Sequence, residues 1–226
     1  MTSSNATGTS LVTGANRGIG LELCAQLRRR GHQVIGVCRN ATPELARLGV
    51  RVEAGIDVAV DGALADLAKR LAGVKIDWLV CNAGILGHES LVAPDIDAVR
   101  KQFEVNALGP LRTVHALLPN LARGAKVALI TSRMGSIADN GSGSSYGYRM
   151  SKAALNAAGV SLARDLAGRG IAVALLHPGY VKTEMTGNSG NVTPDKAAVQ
   201  LIERIEALTL AESGGFWHAN GERLPW

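Results

Sequence analysis

A chain of 226 residues and 23.5 kDa, 46% hydrophobic and 19% charged with 27 glycines, has the size and make-up of one α/β domain with a single large core, which excludes a disordered chain. The net charge of +5 and pI near 9.4 come from scattered basic residues; the longest run, Arg28-Arg29-Arg30, falls where a helix should end, so no nucleic-acid partner is expected. Cys24, Cys38 and Cys81 are odd in number without Cys-x-x-Cys spacing, and the five histidines lack metal-ligand spacing, so neither a disulfide framework nor a metal site is expected.

The start, Met1 to Ser10, is polar and uncharged, without the basic flank and apolar stretch of a secretory signal. No apolar run is long enough to span a bilayer, so the expectation is a cytoplasmic protein with no membrane partner. Strand-like runs follow at 10–13, 33–38, 50–53, 78–81, 127–131 and 171–176. Helical patterns lie between and after them at 19–30, 62–72, 95–107, 148–166 and 194–210. This alternation predicts βαβ units in a single Rossmann-type, doubly wound α/β domain over residues 1–226, its mainly parallel sheet flanked by helices on both faces. Runs such as Val127-Ala128-Leu129-Ile130 are apolar without alternation, as strands buried on both faces should be. The stretch 139–148 reads as a loop entering a helix, and 183–194 as another short mobile stretch, and both could border a site.

Two constellations carry chemistry. The first is the turn Thr13-Gly14-Ala15-Asn16-Arg17-Gly18-Ile19-Gly20 between a strand and a helix. Small residues let backbone approach a pyrophosphate there, and the helix start offers free N–H donors and a positive dipole end. The spacing is Gly-x-x-x-Gly-x-Gly, and it lacks the Gly-Lys-Ser/Thr ending of an NTP-binding loop. The second strand ends Val37-Cys38-Arg39-Asn40 with no carboxylate to take a ribose 2′-hydroxyl; Arg39 and Arg17 instead suit a 2′-phosphate, which points to NADP(H). Asp57, after the third strand, is a candidate to face the adenine. The second constellation is Tyr148 and Lys152, whose four-residue spacing on a helix puts phenol and ammonium on one face.

In chain order these landmarks, Thr13-Gly14-x-x-x-Gly18-x-Gly20, Asp57-Val58, Asn82-Ala83-Gly84, Asn106, Ser132, Tyr148-x-x-x-Lys152 and Pro178-Gly179 with Thr183, resemble the short-chain dehydrogenase/reductase family. Ser132-Arg133-Met134-Gly135-Ser136, the segment from Tyr148 to Asn156 and the tail Gly221 to Trp226 look like its C-factor and sniffer-type carbonyl reductases. The resemblance implies a catalytic tetrad of Tyr148, Lys152, Ser132 and Asn106. It also implies cofactor contacts from Gly14, Asn16, Arg17, Gly18, Ile19, Gly20, Arg39, Asp57, Val58, Asn82, Ala83, Gly84, Tyr148, Lys152, Pro178, Gly179, Val181 and Thr183.

Carbonyl reduction builds negative charge on oxygen, which needs donors and then a proton. On this reading Tyr148 supplies that proton, and Lys152, beside it and next to the positive ring of an oxidised nicotinamide, lowers a phenol pKa of roughly 10 by charge proximity. Ser132 orients the substrate oxygen, and Asn106 holds a water that links the lysine to solvent. The expected activity is NADPH-dependent reduction of an aldehyde or ketone to an alcohol. The alternative is a nonenzymatic, dinucleotide-sensing protein of C-factor-like signalling type, and the chain ends too early for the substrate domain of a sugar-nucleotide epimerase. A homodimer or homotetramer is expected through the long helices flanking the fifth strand, with Ala153, Ala154, Ala157, Ala158 and Gly159 permitting close packing.

Overall fold

The computed structural model describes residues 8–226, so the reading of Met1 to Thr7 as leaderless lies outside the described residues. From there strands and helices follow one another as β1 (Thr9–Thr13), α1 (Gly18–Arg29), β2 (Gln33–Val37), α2 (Pro43–Arg47), β3 (Arg51–Glu53), α3 (Asp61–Arg70), β4 (Ile76–Cys81), α4 (Ile96–Phe103), α5 (Gly109–Leu117), β5 (Leu121–Ile130), α6 (Tyr146–Leu166), β6 (Ala172–His177), α7 (Pro194–Ala207) and β7 (Phe216–His218). The strands form one seven-stranded sheet in the order β3-β2-β1-β4-β5-β6-β7, and each neighbouring pair is parallel. The order reverses between β1 and β4, and open α/β sheets leave their ligand crevice beyond the strand ends at such a point.

Side chains alternate between faces along a strand, so a strand covered on both sides must be apolar at every position. Val127 and Leu129 of β5 pack with Leu64 and Leu67 of α3, Val114 and Leu117 of α5 and Leu155 of α6. Their neighbours Ala128 and Ile130 face the other way, into Leu23 and Leu27 of α1 and Leu201, Ile202 and Ile205 of α7. The uninterrupted apolar runs thus report two helical layers around one sheet. Cys24, Cys38 and Cys81 are free thiols buried in these layers. Burial pushes Cys24 and Cys81 up to about 12, which keeps them protonated and inert.

Three elements went unexpected. The five-residue α2 starts at Thr42, whose hydroxyl accepts from Leu45 N–H while Pro43 supplies the fixed φ of a first helical turn. The helix expected to stop at Ala107 runs on through a π-turn at Glu104–Leu108 into α5. Gly109-Pro110 reads as a breaker in sequence, but Pro110 lies in the first turn of α5, where its missing N–H costs little. The three-residue β7 is too short to show a period, and it pairs through Phe216, Trp217 and His218 with the end of β6. One expected packing residue is also corrected. Gly159 is buried against the sheet, where a Cβ would come within 2.7 Å of Leu175 and 2.9 Å of Leu129, so it brings α6 onto its own core and not onto a partner. No helix among the described residues is long and apolar enough to cross a membrane.

Candidate active site

The glycine turn sits at the switch point and is tied to it by side chains. Thr13 Oγ1 accepts from the main-chain N–H groups of Asn82 and Ala83, both at 3.1 Å, and Asn82 Nδ2 donates back to the carbonyls of Thr13 at 3.0 Å and Gly14 at 3.3 Å. Gly14 and Gly18 have φ of +67° and +54°, a region in which a side chain is strained. A Cβ on Gly20 would collide with the carbonyl oxygen of Gly14, so only glycine lets α1 begin this close to β1. Arg17, which precedes α1, offers no side-chain cap, and the first turn holds no acid. The opening N–H groups and the positive end of the helix are therefore left for an anion.

A cleft of about 550 Å³ opens over this turn, in the usual range for cofactor sites. Its walls include Gly14, Asn16, Arg17, Gly18, Ile19, Arg39, Asp57, Val58, Asn82, Ala83, Gly84 and Thr183, so these residues share one cleft. Arg39 lies past the end of β2 with its side chain 61% exposed, and its nearest carboxylate, Asp57, is 4.0 Å away. Asp57 Oδ1 also accepts from Ala59 N–H at 3.0 Å, so it shapes its own turn as well as lining the cleft. The backbone donors and the missing Cβ atoms of the turn fit the phosphates of a dinucleotide, and the exposed Arg39 guanidinium lines the same cleft. Gly20 acts behind the wall, and Val181 is buried with its backbone bridged to Val192; Pro178 and Gly179 lie outside the lining, Gly179 with φ of +91° facing Val192 and His218.

The second constellation meets the first at Gly84. A Cβ there would stand 3.2 Å from Asn106 Oδ1 and 3.7 Å from Lys152 Nζ, so the floor of the cleft abuts both. Lys152 is 4% exposed; its ammonium donates to Ile130 O at 2.9 Å and stands 5.7 Å from the Tyr148 ring centre. Burial pushes its pKa down to about 8. Tyr148 is half-buried, with its phenol near enough to the Ser132 hydroxyl for that group to act on its titration; Ser132 Oγ accepts from Met134 N–H at 3.2 Å. Within the chain alone, burial raises the phenol's pKa above the ordinary value, and the nearby Ser132 hydroxyl only partly opposes that. Removing a phenolate from water outweighs what its neighbours return.

Asn106 is held by its own side chain. It is fully buried in the π-turn, its Oδ1 accepting from Ile85 N–H and its Nδ2 donating to Ile85 O, both at 2.8 Å, and to Ser151 Oγ at 3.0 Å. Its side chain therefore clamps the strand exit at Ile85 to α6, beside the Gly84 floor that Lys152 also meets.

The chain matches the short chain dehydrogenase family model over residues 9–193, a span that contains the glycine turn, Ser132, Tyr148 and Lys152. It belongs to the short-chain dehydrogenase family. Over 224 residues it is 44% identical to a 1-hydroxy-2-glutathionyl-2-methyl-3-butene dehydrogenase of Rhodococcus sp. (strain AD45), covering 96% of this chain and 99% of that protein. It is 42% identical over 155 residues to the C-signal of Myxococcus xanthus, covering 67% of this chain and 93% of that protein. Among solved structures, NADPH-bound carbonyl reductase from chicken fatty liver superposes with a TM-score of 0.87 at 29% identity, over 96% of this chain and 98% of that one. The carbonyl reductase Sniffer of D. melanogaster does so with a TM-score of 0.89 at 29% identity, over 96% and 99%.

This short-chain dehydrogenase also uses residues that the spacing did not single out. Ile85, Lys101, Glu104, Val105, Glu184 and Met185 line the cleft. Glu184 reaches over it to form an ion pair with Arg17 of the glycine turn. Its place directly after Thr183 was the available signal; Lys101, Glu104 and Val105 carried none, because only the bend of the chain through the π-turn brings them there.

Proposed function

We propose that this short-chain dehydrogenase reduces an aldehyde or ketone to an alcohol with NADPH, and runs the reverse oxidation when the alcohol is supplied. One observation carries the reading: the glycine-turn cleft ends at Gly84, against buried Lys152, whose ammonium stands 5.7 Å from the ring of Tyr148, with the Ser132 hydroxyl close to that phenol. The bound nicotinamide supplies the hydride. The chain does the rest. Ser132 and Tyr148 present two hydroxyls to the substrate oxygen, meeting the negative charge that develops there. Tyr148 Oη then gives its proton to that oxygen, or takes it back in the oxidation. Its raised pKa keeps it protonated near neutrality, which suits the donor of the reductive direction. Lys152, held by Ile130 O, places a cation beside the phenol and favours the phenolate once the proton has left.

Arg39 is the basis for NADPH over NADH, since no acid stands at the end of β2 to claim a 2′-hydroxyl. The carbonyl reductase resemblance supports the reductive direction, and the Rhodococcus relative, named for oxidising a glutathione-bearing alcohol, supports reversibility. Segment 183–194 covers the substrate side on this reading, and self-association uses the apolar side chains exposed around α4 and the start of α6, among them Ile96 and Met150. A nonenzymatic signalling role is the second reading, favoured by the C-signal relative.

Steady-state oxidation of NADPH and NADH across aldehydes, ketones and diketones tests the assignment, with Arg39→Asp alongside. Losing a charge-assisted phosphate contact of about 1.5–3 kcal/mol should weaken NADPH roughly 10- to 100-fold and leave NADH little changed. Equal losses for both nicotinamides would remove the cofactor assignment. Tight NADPH binding without turnover on any carbonyl would favour signalling.

A further inference from the structure

The start of α6 carries Tyr148 in its first turn yet lacks a cap of its own. Ser145, the residue before the helix, offers no side-chain hydrogen bond. It and Ser144 sit at φ of +50° and +48°, a left-handed conformation that non-glycine residues adopt only under strain. Strain of this kind persists only where the surroundings hold it.

What holds it comes from another part of the chain. Glu89, on the loop leaving β4, is 5% exposed, and its Oε2 accepts the N–H of Gly147 at 3.1 Å, taking the place of a cap on the second residue of α6. Its carbonyl accepts the N–H of Ser145 at 2.8 Å. Its other carboxylate oxygen accepts from Nε2 of Gln102, which is 2% exposed on α4. Gln102 is fully engaged in turn, since Nε2 donates to Ala98 O at 3.2 Å and Oε1 accepts from Gly87 N–H at 2.8 Å. Gly147 must be glycine for this arrangement, because a Cβ there would meet Gln102 Nε2 at 2.5 Å and the Val99 Cα at 3.0 Å.

We propose that Glu89 and Gln102 are positioning residues: a buried carboxylate–amide lock that caps α6 from outside and fixes Tyr148 against Ser132. The claim rests on the reading of Tyr148 as the proton donor. A buried carboxylate at a helix start is stabilised by the dipole and the free N–H groups, so a structural role alone would already retain it. The positional role makes a sharper claim. Donor must face acceptor between residues 89 and 102, because Gly87 fixes the amide oxygen on the far side and leaves only Nε2 for the carboxylate.

The test is a charge-polarity swap. Glu89→Gln keeps size but cannot accept from both Gly147 and Gln102, whereas Glu89→Gln with Gln102→Glu restores one donor facing one acceptor and keeps an acceptor for Gly87 N–H, giving up only the 3.2 Å bond to Ala98 O. Glu89→Gln should lower kcat by about tenfold to hundredfold, the cost of misplacing a reacting group by around an ångström, with the NADPH dissociation constant within twofold of wild type. The double variant should recover kcat to within severalfold. Wild-type kcat in Glu89→Gln would overturn the proposal. A parallel fall in cofactor affinity and melting temperature that the swap does not restore would overturn it too, since that pattern is structural. Should the single variant fail to fold, the double variant decides: folded and active supports the lock, folded and impaired refutes it. Tyr148→Phe is assayed in the same series, and if it retains turnover, the failure lies with the proton-donor reading and not with the lock.

Discussion

At the residue scale the site holds its groups against their solution preferences. Lys152 is folded with a pKa of about 8 against an ordinary 10.5. Between those values the unfolded chain binds more protons, so this group's cost to the fold is full below pH 8 and is relieved as pH rises toward 10.5. The stability advantage of Lys152→Met over wild type should therefore be largest near pH 7 and shrink by pH 10, as urea melts at both pH values would read; a difference independent of pH would contradict the buried charge. His177 shows the same sign in acid. Burial first, then His218 and Arg133, pushes it down to about 3, and its Nδ1 has no hydrogen-bond partner. Wild-type stability should fall as pH drops from 6.5 toward 3, and His177→Asn should lose less over that range in the same melts. The spacing of Tyr148 and Lys152 was legible in sequence because four residues on a helix fix a shared face. The raised phenol and the clamped Asn106 were not, because both depend on neighbours from β4 and β5 that sequence distance hides.

At the element scale, the strands and the helices with long apolar patterns could be read from periodicity. The elements that escaped are those in which tertiary context decides. α2 and β7 are too short to show a period, and the π-turn at 104–108 carries the chain past a Gly-Pro pair that local propensity treats as an end. Small residues on α6 divide by face: Ala157 is exposed, while Gly159 meets Leu175 and Leu129. Alanine improves helix propensity over glycine by about 1 kcal/mol, but forcing a methyl into this packed core costs about 1–3 kcal/mol. Gly159→Ala should thus be destabilising overall, by up to about 2 kcal/mol in urea unfolding, and a stabilised variant would show that α6 can lift from the sheet without penalty.

At the scale of the whole molecule, apolar runs without alternation announced a parallel sheet between two helical layers, and the glycine turn at the end of β1 located the crevice beside the strand-order reversal. Charge says less about the fold. Many basic residues are tied up in surface ion pairs such as Arg17–Glu184 and Arg47–Glu44, whose side chains are more than half exposed and which add little to stability. Self-association through the surfaces of α4 and α6 should appear in light scattering as particles heavier than the 23.5 kDa chain, and a single species of that mass at working concentration would contradict it.

The most direct measurement compares wild type with Tyr148→Phe for NADPH oxidation on a carbonyl that the wild type reduces, with cofactor affinity followed by fluorescence. Removing one hydroxyl from a positioned general acid should cut kcat by about 10²- to 10⁴-fold while NADPH binds within a few-fold of wild type. Turnover close to wild type in Tyr148→Phe would contradict the assignment of the proton to this phenol.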